Sequence, residues 1–120
     1  MIKKALITGI TGMDGSHLAE FLLEKGYEVH GVKRHVATYN LKNIEYLVDK
    51  DKIALHDGDI TDTANIFQII KKVQPDEIYN LAAQSHAGVS FKAPENAVDV
   101  CGRAVVGILE AVRQINPKIR

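Results

Sequence analysis

The chain has 120 residues, of which 46% are hydrophobic, and its 15 basic residues balance its 15 acidic ones. This length fits one domain at most, and a neutral chain gives no electrostatic basis for binding nucleic acid or an anionic membrane. The apolar run before the first glycine is too short for a signal peptide or a membrane span. The single cysteine, Cys101, excludes an internal disulfide and fits a reducing compartment. We therefore expect a soluble, cytoplasmic protein.

The first third of the chain alternates between strand and helix patterns. A short apolar run at residues 5–8 predicts a buried parallel strand. Leu18, Phe21 and Leu22 then recur at helical spacing, and Lys25 and Gly26 close the predicted helix. Residues 27–33 predict a second strand, and residues 34–43 a long loop. A short helix is predicted beyond it, and it contains Ile44, Tyr46, Leu47 and Val48.

The rest of the chain repeats this alternation. Residues 52–62 hold a third strand and a turn rich in Asp and Gly, and Thr61 or Asp62 can cap the helix that follows. The apolar face of that helix is Ile66, Ile69, Ile70 and Val73. Pro75 ends the helix, residues 77–83 predict a fourth strand, and a loop follows. A final helix is predicted from Pro94 to Pro117.

Strands that alternate with helices imply right-handed crossovers and a parallel sheet that is covered on both faces. The predicted fold is therefore an α/β, Rossmann-type doubly wound sheet with strand order 3-2-1-4. No repeat, low-complexity tract or flexible linker interrupts the chain. Residues 1–120 are expected to form the N-terminal part of such a domain, so the sheet is expected to be incomplete.

Three glycines, Gly9, Gly12 and Gly15, follow the first strand and open the first helix. In this context the pattern is typical of a dinucleotide-binding turn. Gly9 allows the tight turn, Gly12 lets a pyrophosphate approach the backbone, and Gly15 permits close packing of the helix. The helix N-terminus then faces the phosphates. The alternative is a glycine-rich turn without a ligand, whereas a mononucleotide P-loop is excluded because no Gly-Lys-Ser/Thr follows.

The end of the second strand indicates which dinucleotide is bound. Proteins that prefer NAD usually place Asp or Glu there to hold the ribose 2′-hydroxyl. This chain has Lys33 and Arg34 instead, and Glu28 lies too early in the strand. Because Arg can bind a 2′-phosphate through paired hydrogen bonds, the sequence favours NADP. The alternative is a solvated basic loop.

Further cofactor signals follow the third and fourth strands, at the edge where open α/β sheets bind ligands. Asp59 and Ile60 could hold the adenine, with the carboxylate accepting from its amino group. For Asp59, a simple role in the turn is the alternative. The segment Leu81, Ala82, Ala83, Gln84 and Ser85 follows the fourth strand. Its two alanines would let the dinucleotide pass close to the backbone.

The segments "ALITGITGMDGSHLAEFLLEKGYEVHGVKR", "GDITD" and "EIYNLAAQSHAGVSF" resemble the N-terminal third of one enzyme family. The chain is similar to the extended short-chain dehydrogenase/reductases and, within them, the GDP-mannose 4,6-dehydratases. Asp14 and the Gln84-Ser85-His86 segment carry this resemblance more specifically than the glycines do. The implied cofactor-binding residues are Gly9, Ile10, Thr11, Gly12, Met13, Asp14, Gly15, Arg34, Asp59, Ile60, Leu81, Ala82, Ala83, Gln84 and Ser85.

The chain departs from the family pattern at three places. The family usually has Gln where Met13 stands, and an aromatic residue near Asn96 that touches the cofactor. Its Asp-Ala-Leu-Gly-Thr segment appears here as residues 101–105, CGRAV. The last change concerns the approach of the final helix to the nicotinamide, and nothing in the sequence explains it.

The resemblance implies an NADP-dependent lyase that oxidises a sugar hydroxyl of GDP-mannose, eliminates water and returns the hydride. It implies a Tyr-x-x-x-Lys pair and a Thr/Ser–Glu pair, all beyond Arg120, so no catalytic residue is expected in this chain. One Tyr-x-x-x-Lys does occur at Tyr46 and Lys50. It lies on the adenosine side, and a packed tyrosine beside a solvated lysine is the better interpretation. The fragment alone is expected to be inactive.

Other reactive side chains do not form a recognisable site. The five histidines have no partner at metal-ligand spacing, so no metal is expected. Cys101 is expected to be a small buried hydrophobe. Ser85 has no nearby base and is better interpreted as a hydrogen-bond donor to cofactor or substrate.

The loop at residues 34–43 is longer than a β–α connection needs. In the family it reaches a neighbouring subunit, which implies a homo-oligomer, dimer or tetramer. Two alternatives to the dehydratase remain open: an epimerase or reductase of another nucleotide sugar, and a non-catalytic NADP-binding module.

Overall fold

A computed structural model describes residues 2–33, 44, 52–82 and 102–120 of the chain. Within these ranges the strands and helices follow the predicted chain order. The elements are β1 (Lys4–Thr8), α1 (Met13–Glu24), β2 (Glu28–Lys33), β3 (Ile53–Asp57), α2 (Thr63–Val73), β4 (Glu77–Asn80) and α3 (Ala104–Ile115).

The four described strands form one sheet in the order β3-β2-β1-β4, and each neighbouring pair is parallel. In the register, Leu6 of β1 lies between His30 of β2 and Ile78 of β4. The predicted order 3-2-1-4 and the Rossmann-type fold are therefore confirmed. All four strands place their carboxyl ends at the same edge of the sheet.

Alternate residues of the strands supply two hydrophobic clusters, one on each face of the sheet. On one face, Ala5, Ile7 and Val29 pack with Ala19 and Leu22 of α1. On the other face, the cluster contains Leu6 and Val32 from the sheet and Ile66, Ile69, Ile70, Val73, Ala104, Ile108 and Ala111 from α2 and α3. The sheet is thus doubly wound, and the predicted apolar face of α2 is buried in full.

The helix ends follow from local chemistry. Asp62, one of the two predicted caps, accepts a hydrogen bond from the backbone N–H of Asn65 at the start of α2. Gln74 ends α2 in the left-handed conformation (φ 52°) directly before Pro75. Gly26 takes the left-handed conformation after α1 (φ 86°), as expected for a glycine that closes a helix.

The prediction for β4 was wrong in its length. The strand ends at Asn80 rather than at residue 83, so Leu81 lies beyond it and is 40% exposed. The backbone N–H of Leu81 still donates to the carbonyl of Thr8 (3.2 Å). The next N–H, that of Ala82, turns to the Thr8 hydroxyl instead (3.2 Å), and this ends the ladder.

The last residue of the chain pairs with β4 on the side away from β1. The N–H of Arg120 donates to the carbonyl of Asp76 (3.0 Å), and the N–H of Ile78 donates to the carbonyl of Arg120 (2.6 Å). This is the bond pattern of a parallel pair centred on Glu77 and Arg120. Within the described residues, the edge of β4 is therefore partly covered.

Several predicted features lie outside the described residues. They are the loop at residues 34–43, most of the short helix that contains Tyr46 and Lys50, the loop after Ala82, and the start of the final helix at Pro94. Ile44 is described and fully buried in the α1-side cluster. On α3, Val106 and Leu109 are 65% and 62% exposed.

Candidate functional site

The carboxyl ends of β1 and β4 meet where the winding of the sheet reverses, because α1 covers one face and α2 and α3 cover the other. Ligands of open α/β sheets bind at such a point. Thr8, the last residue of β1, is 2% exposed and joins the two strand ends. Its hydroxyl donates to Asn80 Oδ1 (2.6 Å) and accepts from the N–H of Ala82 (3.2 Å). Neither Thr8 nor Asn80 was singled out from the sequence.

Gly9 makes the turn out of β1. Its φ of +71° lies in the region that favours glycine. A Cβ placed on Gly9 would lie 2.8 Å from the backbone nitrogen of Ala82 and 2.9 Å from the carbonyl carbon of Leu81. Both its conformation and the closeness of the β4 end therefore require a glycine here.

The other two glycines of the turn differ in what surrounds them. A Cβ on Gly15 would strike the Gly9 carbonyl oxygen and would lie 2.7 Å from Ile10 Cα, so the first turn of α1 packs on the turn itself. Among the described residues, a Cβ on Gly12 would meet only the Gly9 carbonyl oxygen, at 3.4 Å, which is an ordinary contact. The described packing thus requires Gly9 and Gly15 but leaves room for a Cβ at Gly12.

Gly12 is also the N-cap of α1 and, as a glycine, has no side chain to cap the helix N-terminus. The first N–H groups of a helix have no intrahelical partner, and they carry the positive end of its dipole. Met13 is 69% exposed at this end, and the Ser16 hydroxyl bonds back to the Met13 carbonyl (2.8 Å). Asp14, also exposed, is the acidic residue of the first turn. The arrangement can bind an anion through backbone N–H groups, and its open side fits a pyrophosphate.

Asp59 stabilises the turn between β3 and α2. Its Oδ1 accepts from the Thr61 N–H (2.9 Å) and from the Thr61 hydroxyl (2.7 Å), and its own N–H donates to Asn65 Oδ1 (3.2 Å). Ile60 is only 8% exposed and belongs to the core cluster on the α2 side. Asp59 therefore has the role in the turn that was the alternative interpretation of this residue. Its contact with adenine remains a prediction.

At the end of β2, the Lys33 ammonium lies 2.5 Å from Asp57 Oδ1 at the end of β3. The two residues are register partners in the parallel pair. Glu28 stands at the first residue of β2, as expected, and its carboxylate bonds to His30 rather than reaching the carboxyl edge. One of the two cations predicted for a 2′-phosphate is therefore already paired.

The remaining predicted residues fall outside the described ranges, so their positions are not assigned. They are Arg34, Ala83, Gln84 and Ser85 among the cofactor candidates, and Tyr46, Lys50, His35, His86 and Cys101 among the other residues considered. Ala82, which is described, is partly buried against the α2-side core.

Two histidines that looked scattered in the sequence are brought together by the sheet. His30 Nδ1 lies 3.0 Å from His56 Nε2, and Glu28 Oε1 lies 2.7 Å from His30 Nε2. The ring centroids are 5.3 Å apart and the ring planes are 21° from parallel. Because the two nitrogens are 3.0 Å apart, they must lie close to the line between the centroids. The rings therefore meet edge to edge. Burial lowers the pKa of His56, with smaller contributions from His30 and Lys72.

A second polar cluster lies at the opposite, amino end of the sheet. The phenols of Tyr27 and Tyr79 donate to the two carboxylate oxygens of Glu77, at 3.2 Å and 2.6 Å. The hydrogen bond to Glu77 is the largest cause that raises the pKa of Tyr79 to about 12. Because Glu77 begins β4, this cluster is remote from the glycine turn and braces the start of the sheet.

Among the described residues, no group of three or more His, Cys, Asp or Glu side chains is placed to hold a metal ion. None of the helices in the described ranges has both the length and the apolar character needed to cross a membrane.

A family model described as GDP-mannose 4,6 dehydratase matches residues 6–120. GDP-mannose 4,6-dehydratases of Yersinia enterocolitica and Vibrio cholerae are 54% and 52% identical, over 93% and 94% of this chain, and a human relative is 50% identical over 91%. The chain spans about a third of the length of these curated relatives, at 32%, 32% and 31%.

Solved structures of nucleotide-binding enzymes share the fold. The Bordetella bronchiseptica enzyme WbmH, in complex with NAD+, is 30% identical with a TM-score of 0.77, covering 97% of this chain and 37% of that one. The Thermus thermophilus UDP-glucose 4-epimerase, in complex with NAD, is 28% identical with a TM-score of 0.80, covering 93% and 34%.

Proposed function

The chain belongs to the GDP-mannose 4,6-dehydratase family, and we propose that it binds NADP as the opening part of a nucleotide-sugar 4,6-dehydratase. The observation that carries the proposal is that the described residues leave room beside Gly12, a glycine N-cap without a capping side chain at the start of α1. Two glycines of the turn are needed by the fold itself, whereas the absence of a side chain at Gly12 serves an approaching ligand.

The pyrophosphate would be held by backbone N–H groups of the turn and of the first turn of α1. The candidates there are Gly9, Ile10, Thr11, Gly12, Met13, Asp14 and Gly15. Anions at a helix N-terminus gain from both the free N–H groups and the dipole. The structure fixes this turn against β4 through Gly9 and Thr8, so little order has to be acquired on binding.

A nicotinamide dinucleotide is supported by two related structures that were solved with NAD. We assign NADP rather than NAD to this chain because β2 ends in Lys33 and continues with Arg34, with no acidic residue at that end of β2 to hold a ribose 2′-hydroxyl. Arg34 is proposed as the main contact to the 2′-phosphate. Asp59, Ile60 and the Leu81–Ser85 segment are proposed to border the adenine and the rest of the dinucleotide.

The proposed substrate is GDP-mannose, and the proposed product is GDP-4-keto-6-deoxymannose. NADP supplies the hydride acceptor and donor for this conversion, while the residues of this chain bind and orient the dinucleotide. Ser85 is proposed as a hydrogen-bond donor on the substrate side. We propose that the acid–base residues lie beyond Arg120, as the resemblance to the family implies.

We further propose that residues 1–120 are the N-terminal part of the dinucleotide-binding domain of a cytoplasmic homo-oligomer, dimer or tetramer. The parallel pair of Arg120 with Glu77 supports continuation of the sheet beyond β4. The relatives, about three times as long as this chain, support the same view.

Titration of the intact protein with NADP and NAD tests the proposal, with Gly12→Ala as the diagnostic variant. Gly12 has φ −78° and an open neighbourhood, so alanine there should change stability by less than about 1 kcal/mol. We expect the folded variant to bind both dinucleotides at least tenfold more weakly than the wild type does. A Gly12→Ala protein with wild-type affinity would contradict the proposed pyrophosphate site. In a separate assay with GDP-mannose as substrate, formation of the 4-keto-6-deoxy product distinguishes a dehydratase from an epimerase.

A further inference from the structure

The ion pair between Lys33 and Asp57 joins the carboxyl ends of two neighbouring strands. Lys33 ends β2 and Asp57 ends β3, and their charged atoms are 2.5 Å apart. The Lys33 side chain is 24% exposed and the Asp57 side chain 67%, so the carboxylate is the more accessible partner. The pair lies at the same edge of the sheet as the glycine turn.

The glycine turn adjoins this pair through Ile10. A Cβ on Gly31, two residues before Lys33, would lie 2.7 Å from Ile10 Cγ2, so the residue after Gly9 packs directly on β2. A ligand held at the N-terminus of α1 and extending along the edge towards β2 therefore passes the end of the strand at Lys33. The carboxylate of Asp57 stands beside that path.

The backbone keeps Asp57 close to β2. The N–H of Gly58 donates to the Lys33 carbonyl (2.9 Å), and a Cβ on Gly58 would lie 3.2 Å from Val32 Cγ1. The end of β3 is thus held against the end of β2. Asp57 is thereby kept beside Lys33 at the carboxyl edge of the sheet.

We propose that Asp57 is a specificity-determining residue that restrains the preference of this site for 2′-phosphorylated dinucleotides. A 2′-phosphate carries a charge of roughly −1.5 to −2 at neutral pH. Asp57 repels that charge directly, and it also engages Lys33, whose ammonium would otherwise face the phosphate. NAD has a hydroxyl at this position and is affected little. This inference rests on the proposed function, because it requires a dinucleotide at the carboxyl edge.

The test compares dissociation constants for NADP and NAD in the wild type and in Asp57→Asn, by titration of the intact protein. Removal of one exposed charge should raise the affinity for NADP by about three- to fivefold and leave the affinity for NAD within about twofold. The gain should shrink as salt rises from 0.05 to 0.5 M, since charges about 10 Å apart are largely screened above 0.1 M.

Two control variants keep the test specific. Asp57→Glu keeps the charge and should bind both dinucleotides as the wild type does. Glu24→Gln removes an equal charge from the last residue of the 12-residue helix α1, at the end remote from the turn. It should change neither affinity. Thermal unfolding of each variant establishes that the fold is retained.

The outcomes are distinguishable. A higher affinity for NADP alone in Asp57→Asn supports the inference, even where the wild type binds NADP and NAD equally well and the proposed preference fails. An unchanged or lower NADP affinity in a folded Asp57→Asn protein overturns the inference but leaves dinucleotide binding intact. Absence of binding of either dinucleotide by the wild type overturns both.

Discussion

The hydroxyl of Thr8 donates a 2.6 Å hydrogen bond to the side-chain oxygen of Asn80 and so joins the carboxyl ends of β1 and β4. The same hydroxyl accepts from the N–H of Ala82, and the Thr8 carbonyl accepts from that of Leu81. One buried side chain therefore sets the spacing between two strands at the point where the winding of the sheet reverses. The glycine turn begins at the next residue, so its position depends on this contact.

Replacement of Thr8 by Val should test that dependence. Valine keeps the shape but leaves the Ala82 N–H and the Asn80 side chain without their partner, at a cost of about 1–3 kcal/mol in the free energy of unfolding. Thr63→Val, at an exposed position at the start of α2, is the matched control and should stay within about 0.5 kcal/mol. Chemical denaturation measures both, and equal effects of the two variants would refute the role assigned to Thr8.

Substitutions at Gly12, the N-cap of α1, and at Gly15, in its first turn, are expected to separate binding from folding. In Gly15→Ala the new methyl group meets backbone atoms of Gly9 and Ile10, which cannot rotate away. We expect a net loss of about 1–3 kcal/mol in stability, despite the better helix propensity of alanine. Gly12→Ala should keep its stability. Denaturation curves that rank the two variants in the opposite order would show that the turn is packed differently.

Much of the fold could be predicted because its signals are local. The apolar face of α2, the Asp62 cap and the glycine at the end of α1 each follow from residues within one or two turns of one another. The end of β4 could not be predicted in this way. It depends on the Thr8 hydroxyl, which lies 72 residues from Asn80 in the sequence and captures the N–H of Ala82.

The candidate site was predictable to a similar degree. The glycine pattern identified the turn and the separate role of Gly12, and the contacts around Gly9 and Gly15 agree with that division. The pairs Lys33–Asp57 and His30–His56 depend on the register of β2 against β3. That register cannot be obtained from spacing along the chain, since 26 residues separate the two histidines.

Arg34 should be the main discriminator between the two dinucleotides. It lies outside the described residues and directly follows Lys33, whose charge is engaged by Asp57. Loss of a charge-assisted pair to the 2′-phosphate in Arg34→Ala should weaken the binding of NADP by about 1.5–3 kcal/mol and leave the binding of NAD unchanged. Lys33→Met should weaken the binding of NADP by less. Fluorescence titration of both nucleotides measures this, and an unaltered NADP/NAD ratio in Arg34→Ala would exclude the assignment.

The His30–His56 pair should make stability depend on pH in a defined direction. When His30 is neutral, its Nε2 donates to Glu28, so its Nδ1 accepts from His56 Nε2. Burial lowers the pKa of His56 below its usual 6.5, and His30 and Lys72 act in the same direction. The unfolded chain therefore binds more protons than the folded one in the range just below pH 6.5. The stability that neutral His56 contributes to the folded state is complete above pH 6.5 and is lost as the pH falls from there towards the pKa of His56 in the folded protein.

Denaturation of the wild type and of His56→Asn between pH 5 and 8 measures this contribution. The wild type should lose stability below about pH 6.5, and the variant should lose less over the same range, because its residue 56 does not titrate. His17→Asn, a histidine replacement at an exposed position on α1, is the matched control. Identical slopes for the wild type and His56→Asn would mean that solvent reaches the pair freely, and the edge-to-edge contact would then have no energetic role in the sheet.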